Sequence, residues 1–158
     1  MILTTLSITV VVGNFQKLLI TLALLLSLNA IAASSGLRDG ESALREACSA
    51  YSQAGMHDCL SKKASDSNDD LRQSRNNAII ALSKWDEDSK YTSRAKSELA
   101  ASDSEFDKYR DAHCKFQASL SGGGAGNSHE ILRLACIAEL NTVRARQLRD
   151  AIADLPLK

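Results

Sequence analysis

The sequence predicts an all-α protein, a small bundle of about four helices with a C-terminal antiparallel helical hairpin, braced by disulfides. Three observations lead there. Breakers are rare, with one proline, Pro156, in 158 residues, and Ala, Leu, Ser, Arg and Lys are plentiful, which favours helix. Aromatic residues make up 4% of the chain, which suits thin helical layers better than a sheet sandwich. Apolar residues recur three and four positions apart over long stretches, the spacing of one helix face. The length fits one domain.

The first element is a leader. Residues 1–32 hold a single ionisable side chain, Lys17. It precedes the apolar run Leu18 to Leu28, and Ala30-Ile31-Ala32 follows. A positive residue, an apolar core and an A-x-A site make a secretory signal peptide over residues 1–32, cleaved after Ala32 and leaving a helical domain at 33–158. The uncharged residues before Lys17 fit a long leader or translation starting further in. The uncharged run 18–37 has the length of a bilayer span of roughly 30 Å, but its second half is too polar and small for an anchor. No cysteine stands at the cleavage site to carry a lipid. Every Asp and Glu, and every other Lys or Arg, falls after residue 32, in a chain of formal net charge +0. That balance excludes a strongly basic nucleic-acid binder.

Export changes how the four cysteines read. Cys48, Cys59, Cys114 and Cys136 are an even set in a small exported domain, which suggests disulfides. Of the three possible pairings, Cys48–Cys59 with Cys114–Cys136 needs only local turns. Cys48 and Cys59 cannot bond within one straight helix, where their separation would be roughly 16 Å. The chain must turn between them, and Gly55 is the obvious place. His57, Cys59, His113, Cys114 and His129 offer nitrogen and sulfur ligands, but none has zinc-site spacing. No metal and no cofactor is expected, and the histidines read as surface residues.

After a flexible start at 33–38, Asp39 can cap a short helix from Glu41 to about Gln53, with Leu44, Cys48 and Tyr51 on one face. Beyond the Gly55 turn, Cys59, Leu60, Lys63, Leu71, Ala78, Leu82 and Trp85 imply a long helix from about Met56 to Trp85. Its polar middle, residues 65–70, is a break or a solvated face. Asp88 or Ser89 can cap the next helix, whose stripe is Tyr91, Ala95, Leu99, Ser102, Phe106, Tyr109 and His113. That helix runs to about Ser119. Residues 122–126 form a glycine-rich turn, and the last helix starts near Asn127. Asn127 and Glu130 have capping-box spacing. Cys114 and Cys136 then lie at about the same height of an antiparallel hairpin, within the reach of a disulfide. The last stripe is Ile131, Leu134, Ala138, Asn141, Ala145, Leu148 and Ile152, ending before Pro156. Asn141 and Arg144 sit near the seam, where polar residues build buried networks or set register.

No catalytic motif is present: there is no GxSxG, HExxH, phosphate loop or EF-hand spacing. Gly122-Gly123-Gly124 lacks the lysine of a phosphate loop. Asp103 and Asp107 lie one helical turn apart, but carboxylates on a polar helix face usually pair with Lys or Arg. The residues describe a binding protein and not an enzyme.

The C-terminal half carries Leu99-x-x-x-Asp103-x-x-Phe106-x-x-Tyr109-Arg110-Asp111-Ala112-x-Cys114, then Gly122-Gly123, then Cys136-x-x-x-Leu140-Asn141-x-x-Arg144-x-x-x-Leu148. This resembles the lysozyme inhibitor LprI-like family of small exported bacterial proteins. Phe106, Tyr109, Arg110 and Arg144 are its structural motif residues here. Phe106 stands where the family often has Trp, Asp103 where Gln is frequent, and Asn141 where Thr is frequent. With Cys48 and Cys59 upstream, the likeness covers about 45–150.

The resemblance implies a periplasmic or secreted protein that binds a lysozyme-type peptidoglycan hydrolase and blocks its cleft. A rigid protruding loop stops a cleft most simply. Ser121, Gly122, Gly123, Gly124, Asn127 and Ser128 are the candidate partner contacts, because glycines allow close backbone approach. Asp66, Asp69, Asp70, Asp86, Glu87 and Asp88 are candidates for steering a basic partner. Two other readings share the architecture: immunity against a secreted wall-degrading toxin, and an envelope structural or stress module with no enzyme target.

Overall fold

The computed structural model describes residues 40–124 and 126–158. The expected leader with its cleavage site, the expected flexible start at 33–38 and the expected Asp39 cap lie outside the described residues. Among the described residues four helices follow one another: α1 (40–47), then α2 (Gln53–Lys84), α3 (Ser89–Ser119) and α4 (Ser128–Ile152). Among the described residues no helix is long and apolar enough to cross a membrane.

The turn between the first two helices departs from expectation. α1 ends at residue 47, and 48–50 form a turn, which lets Cys48 bond Cys59 at a Cα–Cα distance of 5.8 Å. Ser52 then caps α2, its Oγ accepting from Gly55 N–H at 3.3 Å. Gly55 is therefore in the first turn of α2 and not the reversal point. A Cβ there would lie 2.9 Å from that of Tyr51. A serine cap competes well for a helix start, and it moves the boundary upstream of the glycine.

The seam between α2 and α4 is the heart of the fold. α2 buries Leu60, Ala64, Ser67, Leu71, Ser74, Ala78 and Leu82. α4 buries Ile131, Leu134, Ala138, Asn141, Ala145 and Leu148 among others. Both rows follow three-and-four spacing, as in a coiled coil, and their small residues bring the backbones close. Leu60 packs with Ile131, Leu134 and Ala138, while Leu71 packs with Ala145 and Leu148. Both helices advance together, so α2 and α4 are parallel and α3 returns between them. The expected α3–α4 hairpin is present, and the deepest packing is between α4 and α2.

The polar middle of α2 does not break it. Ser67 is buried and donates to Ala64 O at 2.8 Å. The carboxylates around it are paired outward, Asp66 with Lys62, Asp69 with Arg72 and Asp70 with Arg149. Residues 65–70 are thus one helix with a solvated face.

α3 differs more. Of its predicted stripe, Leu99 and Phe106 pack on the core, while Tyr91 and Tyr109 are half exposed. Its buried residues are Cys114 and Ala118. The bundle-facing edge is Leu99, Asp103, Phe106, Arg110, Cys114 and Ala118, rotated from the stripe because paired charges occupy it. At the far end the tail closes the bundle. Lys158 N–H donates to Lys84 O and Asp86 N–H to Pro156 O, both at 2.8 Å.

Candidate functional site

The motif residues form a polar layer through all three long helices. Arg75 of α2, Arg110 of α3 and Arg144 of α4 place their guanidinium carbons 6.0, 5.9 and 5.7 Å from the centre of the Phe106 ring, within cation–π range. Three cations around one ring need anions. Asp103 takes Arg144 at 2.8 Å, Asp107 takes Arg75 at 2.9 Å and Arg110 at 3.2 Å, and Asp111 takes Arg110 at 2.9 Å. Arg110 Nη1 also donates to Asn141 Oδ1 at 3.1 Å, and Asn141 Nδ2 donates to Ser67 Oγ at 3.3 Å. The Asp103/Asp107 pair is thus bound into ion pairs. Asn141 is fully buried and Arg144 half-buried at the seam, and both belong to this network. Tyr109 stands apart, its ring stacked on His113 at 5.3 Å.

Above this layer, Cys114–Cys136 joins α3 to α4 with Cα atoms 5.6 Å apart. Both cysteines are fully buried. The bridge anchors the helices that lead into and out of the glycine loop. Leu120, Ser121 and Gly122 N–H donate back to the carbonyls of Gln117, Ala118 and Ser119 in turn, the pattern of a tightening helix end. Gly122 then takes φ +58°, a left-handed position that ends helices and favours glycine. Gly126 takes φ +68°. A Cβ at Gly122 or Gly123 would meet nothing within 4 Å, whereas one at Gly126 would lie 3.1 Å from the Gln53 side chain. The outgoing half of the loop therefore faces solvent, and the returning half leans on the start of α2.

The proposed contacts divide accordingly. Gly122, Gly123, Gly124 and Asn127 are exposed, while Ser121 and Ser128 are half-buried. Ser121 Oγ donates to Ala118 O at 2.8 Å, a role in closing α3. Asn127 sits at the N-cap of α4 but makes no side-chain cap bond. The expected capping box does not form, because Glu130 turns along the helix to Arg133, whose Nε donates at 2.8 Å. That bond holds the Glu130 carboxyl below its ordinary range and raises the Arg133 guanidinium.

Sequence reasoning missed two residues beside the loop. Phe116 is 59% and Leu120 64% exposed. They continue the spacing of the α3 stripe past His113, by three and then four positions, so the signal was present. An apolar stripe at this spacing ordinarily marks a core face, which hides its exposed end. With Tyr109 they form an apolar row on α3 leading to the loop. His113 also departs from expectation, for its Nε2 is buried.

The chain matches no curated protein and no solved structure. It does match a family description, Lysozyme inhibitor LprI, over residues 45–148. That span starts in α1 and includes both disulfides, the arginine–Phe106 layer and the glycine loop. Covering well over half of its length, the match shows that the chain belongs to the lysozyme inhibitor LprI family.

Proposed function

We propose that this protein is an exported, non-catalytic inhibitor of a lysozyme-type peptidoglycan hydrolase, acting in the periplasm or outside the cell after removal of residues 1–32. The observation that carries the reading is the family match over residues 45–148. The loop at 120–128 is the part that enters the hydrolase cleft. Its solvent-facing Gly122 and Gly123 offer backbone at close range, and the buried bridge below limits its movement.

Charge supports the same end of the molecule. From Ser119 to His129 the chain carries no Asp, Glu, Lys or Arg. A glycoside-hydrolase cleft works with a pair of carboxyl groups. An inserted carboxylate would be repelled there, whereas backbone N–H groups and the side chains of Asn127 and Ser128 suit it. The row of Phe116 and Leu120 supplies apolar contact area at the cleft's edge, where interfaces draw most of their energy from a few large side chains.

The test titrates the oxidised mature chain, starting at Ala33, into a lysozyme clearing a peptidoglycan suspension. Stoichiometric loss of turbidity clearance supports the reading. No effect at large molar excess removes host-type lysozyme as the target. A partner recovered from the native periplasm would then decide between a toxin hydrolase and no hydrolase at all.

A further inference from the structure

The two disulfides differ in what covers them. Cys48, Cys114 and Cys136 are 0% exposed, whereas Cys59 is half-buried. Cys59 also forms part of the wall of an open groove, together with Tyr51, Lys62 and Lys63. Thiol–disulfide exchange begins when a thiolate reaches one of the two sulfurs, and this groove leads to the first bridge. The second bridge lies beneath α1. A carboxylate oxygen of Glu41, a ring nitrogen of His113 and Cys136 Sγ all lie within 4.8 Å of one another. A Cβ at Gly40 would overlap the carboxyl group of Glu139, one helical turn on from Cys136. The start of α1 therefore rests on α4 over the Cys136 sulfur. α1 covers only 40–47, and a helix so short does not hold itself in water. Leu44 packs on the core, and Cys48, just past its end, is tied to Cys59. The first bridge is thus the covalent fastening of the cover over the second.

We propose that the two bridges form a redox switch that opens in a fixed order. A dithiol reductant opens Cys48–Cys59, α1 comes away from α4, and Cys114–Cys136 opens only then. In the first step one thiolate of the dithiol attacks Cys59 Sγ and forms a mixed disulfide. Cys48 leaves with the electron pair of the broken S–S bond and takes a proton from solvent. The second thiol of the reductant loses its proton and attacks the reductant's own sulfur in the mixed disulfide. Cys59 is released and protonated, and the reductant departs as a cyclic disulfide, so two electrons and two protons have passed to the protein. The same exchange at Cys136 needs room behind its sulfur, which α1 occupies until it is unfastened. The layer around Phe106 and the cluster of Leu71, Ala145 and Leu148 draw on α2, α3 and α4 alone. The three long helices therefore stay folded through the first step. If the 120–128 loop is the inhibitory part, as proposed above, inhibition survives the first opening and is lost with the second. The order of opening does not depend on that reading.

The test exposes the oxidised mature chain to dilute dithiothreitol in native buffer, traps free thiols with iodoacetamide at intervals and maps the labelled cysteines by mass spectrometry. Cys48 and Cys59 should be labelled together in a first phase, and Cys114 and Cys136 in a later one. Circular dichroism should show the helices retained after the first phase. In Cys48→Ser/Cys59→Ser the cover is unfastened from the start, so Cys114–Cys136 should open at least about tenfold faster than in the parent chain. In Cys114→Ser/Cys136→Ser the Cys48–Cys59 bridge should open at the parent rate. Leu44→Ala, which loosens α1 without touching a cysteine, should shorten the lag between the two phases. Opening of Cys114–Cys136 first, or of all four cysteines in one phase, overturns the proposal. So does a rate for Cys114–Cys136 that Cys48→Ser/Cys59→Ser leaves unchanged. Loss of the helices after the first phase, or in that variant, overturns it too, because the second bridge then opens by global unfolding and not by release of α1.

Discussion

Asn141 and Ser67 lie 74 residues apart in the chain and share a hydrogen bond of 3.3 Å in the middle of the α2–α4 seam. Asn141 is fully buried, and its other end takes Arg110 of α3. One amide thus binds three helices at one height. It separates the apolar cluster around Leu60 and Ile131 from the one around Leu71 and Leu148. A polar seam residue of this kind fixes register, because sliding α2 against α4 would strand it.

Asn141→Leu should therefore destabilise the fold by about 2–3 kcal/mol, since it leaves Ser67 and the Arg110 guanidinium short of a partner. Ser67→Ala alone should cost about 1 kcal/mol. Urea denaturation of both single variants and the double should show a coupling of about 0.5 kcal/mol or more. Strict additivity would mean that the bond contributes nothing.

Much of this layer was legible in the sequence. Asn141 interrupts an otherwise apolar stripe, with Arg144 near the same seam, and a polar interruption at a seam position has few physical meanings. Ser67 was harder to find, because it sits in a run of Ser, Asp and Asn that reads as solvated. Only the register of α2 against α4 singles it out, and sequence spacing gives no register between helices that are not consecutive. The same gap hid the orientation of α3. Its stripe looked like a core face, yet the bundle-facing edge includes the half-buried Asp103, Phe106 and Arg110, and the two charges are compensated only when three helices are assembled. The loop's glycines were visible at once, whereas His113 gained its buried surroundings from α1 and α4, which no local pattern shows.

The two disulfides should contribute similar stability and different function. They close sequence separations of 11 and 22 residues, for which chain entropy gives about 3 kcal/mol each. Cys48→Ala/Cys59→Ala and Cys114→Ala/Cys136→Ala should lower the urea midpoint by comparable amounts. Only the second pair, at the base of the 120–128 loop, should weaken hydrolase inhibition in conditions where both variants remain folded. Equal loss of inhibition from both would place the contact surface elsewhere.

Glu139 gives a pH dependence of defined sign. Burial raises its carboxyl above the ordinary value of 4.5, and Arg146 offsets this in part. The folded state thus holds this proton more tightly than the unfolded chain. Its stabilising contribution is full below about pH 4.5 and is lost as pH rises through the raised value. Glu139→Gln should therefore gain stability relative to the parent chain between acid and neutral pH, and gain none below pH 4.5. Glu130 runs the opposite way. Its carboxyl is lowered by the hydrogen bond from Arg133, so its contribution is present above about 4.5 and fades as pH falls through the lowered value. Thermal unfolding of Glu139→Gln across this range checks the sign, and a gain confined to acid would contradict it.

Gly122 and Gly123 separate backbone strain from partner contact. Both would place a Cβ in open space, but only Gly122 holds a left-handed φ, +58°. Gly122→Ala should cost about 1 kcal/mol of stability through that φ alone. Gly123→Ala adds a methyl group with no such penalty, so its stability should stay within about 0.5 kcal/mol of the parent, or about 2 °C in thermal midpoint, as for other neutral surface changes. If backbone at this point lies against the wall of a hydrolase cleft, the same methyl group must collide with the partner. Gly123→Ala should then weaken inhibition by about tenfold, the equivalent of about 1.4 kcal/mol of binding, while the free protein is unchanged. Undiminished inhibition by Gly123→Ala, together with a loss on Phe116→Ser, would move the contact from the loop tip to the exposed row on α3.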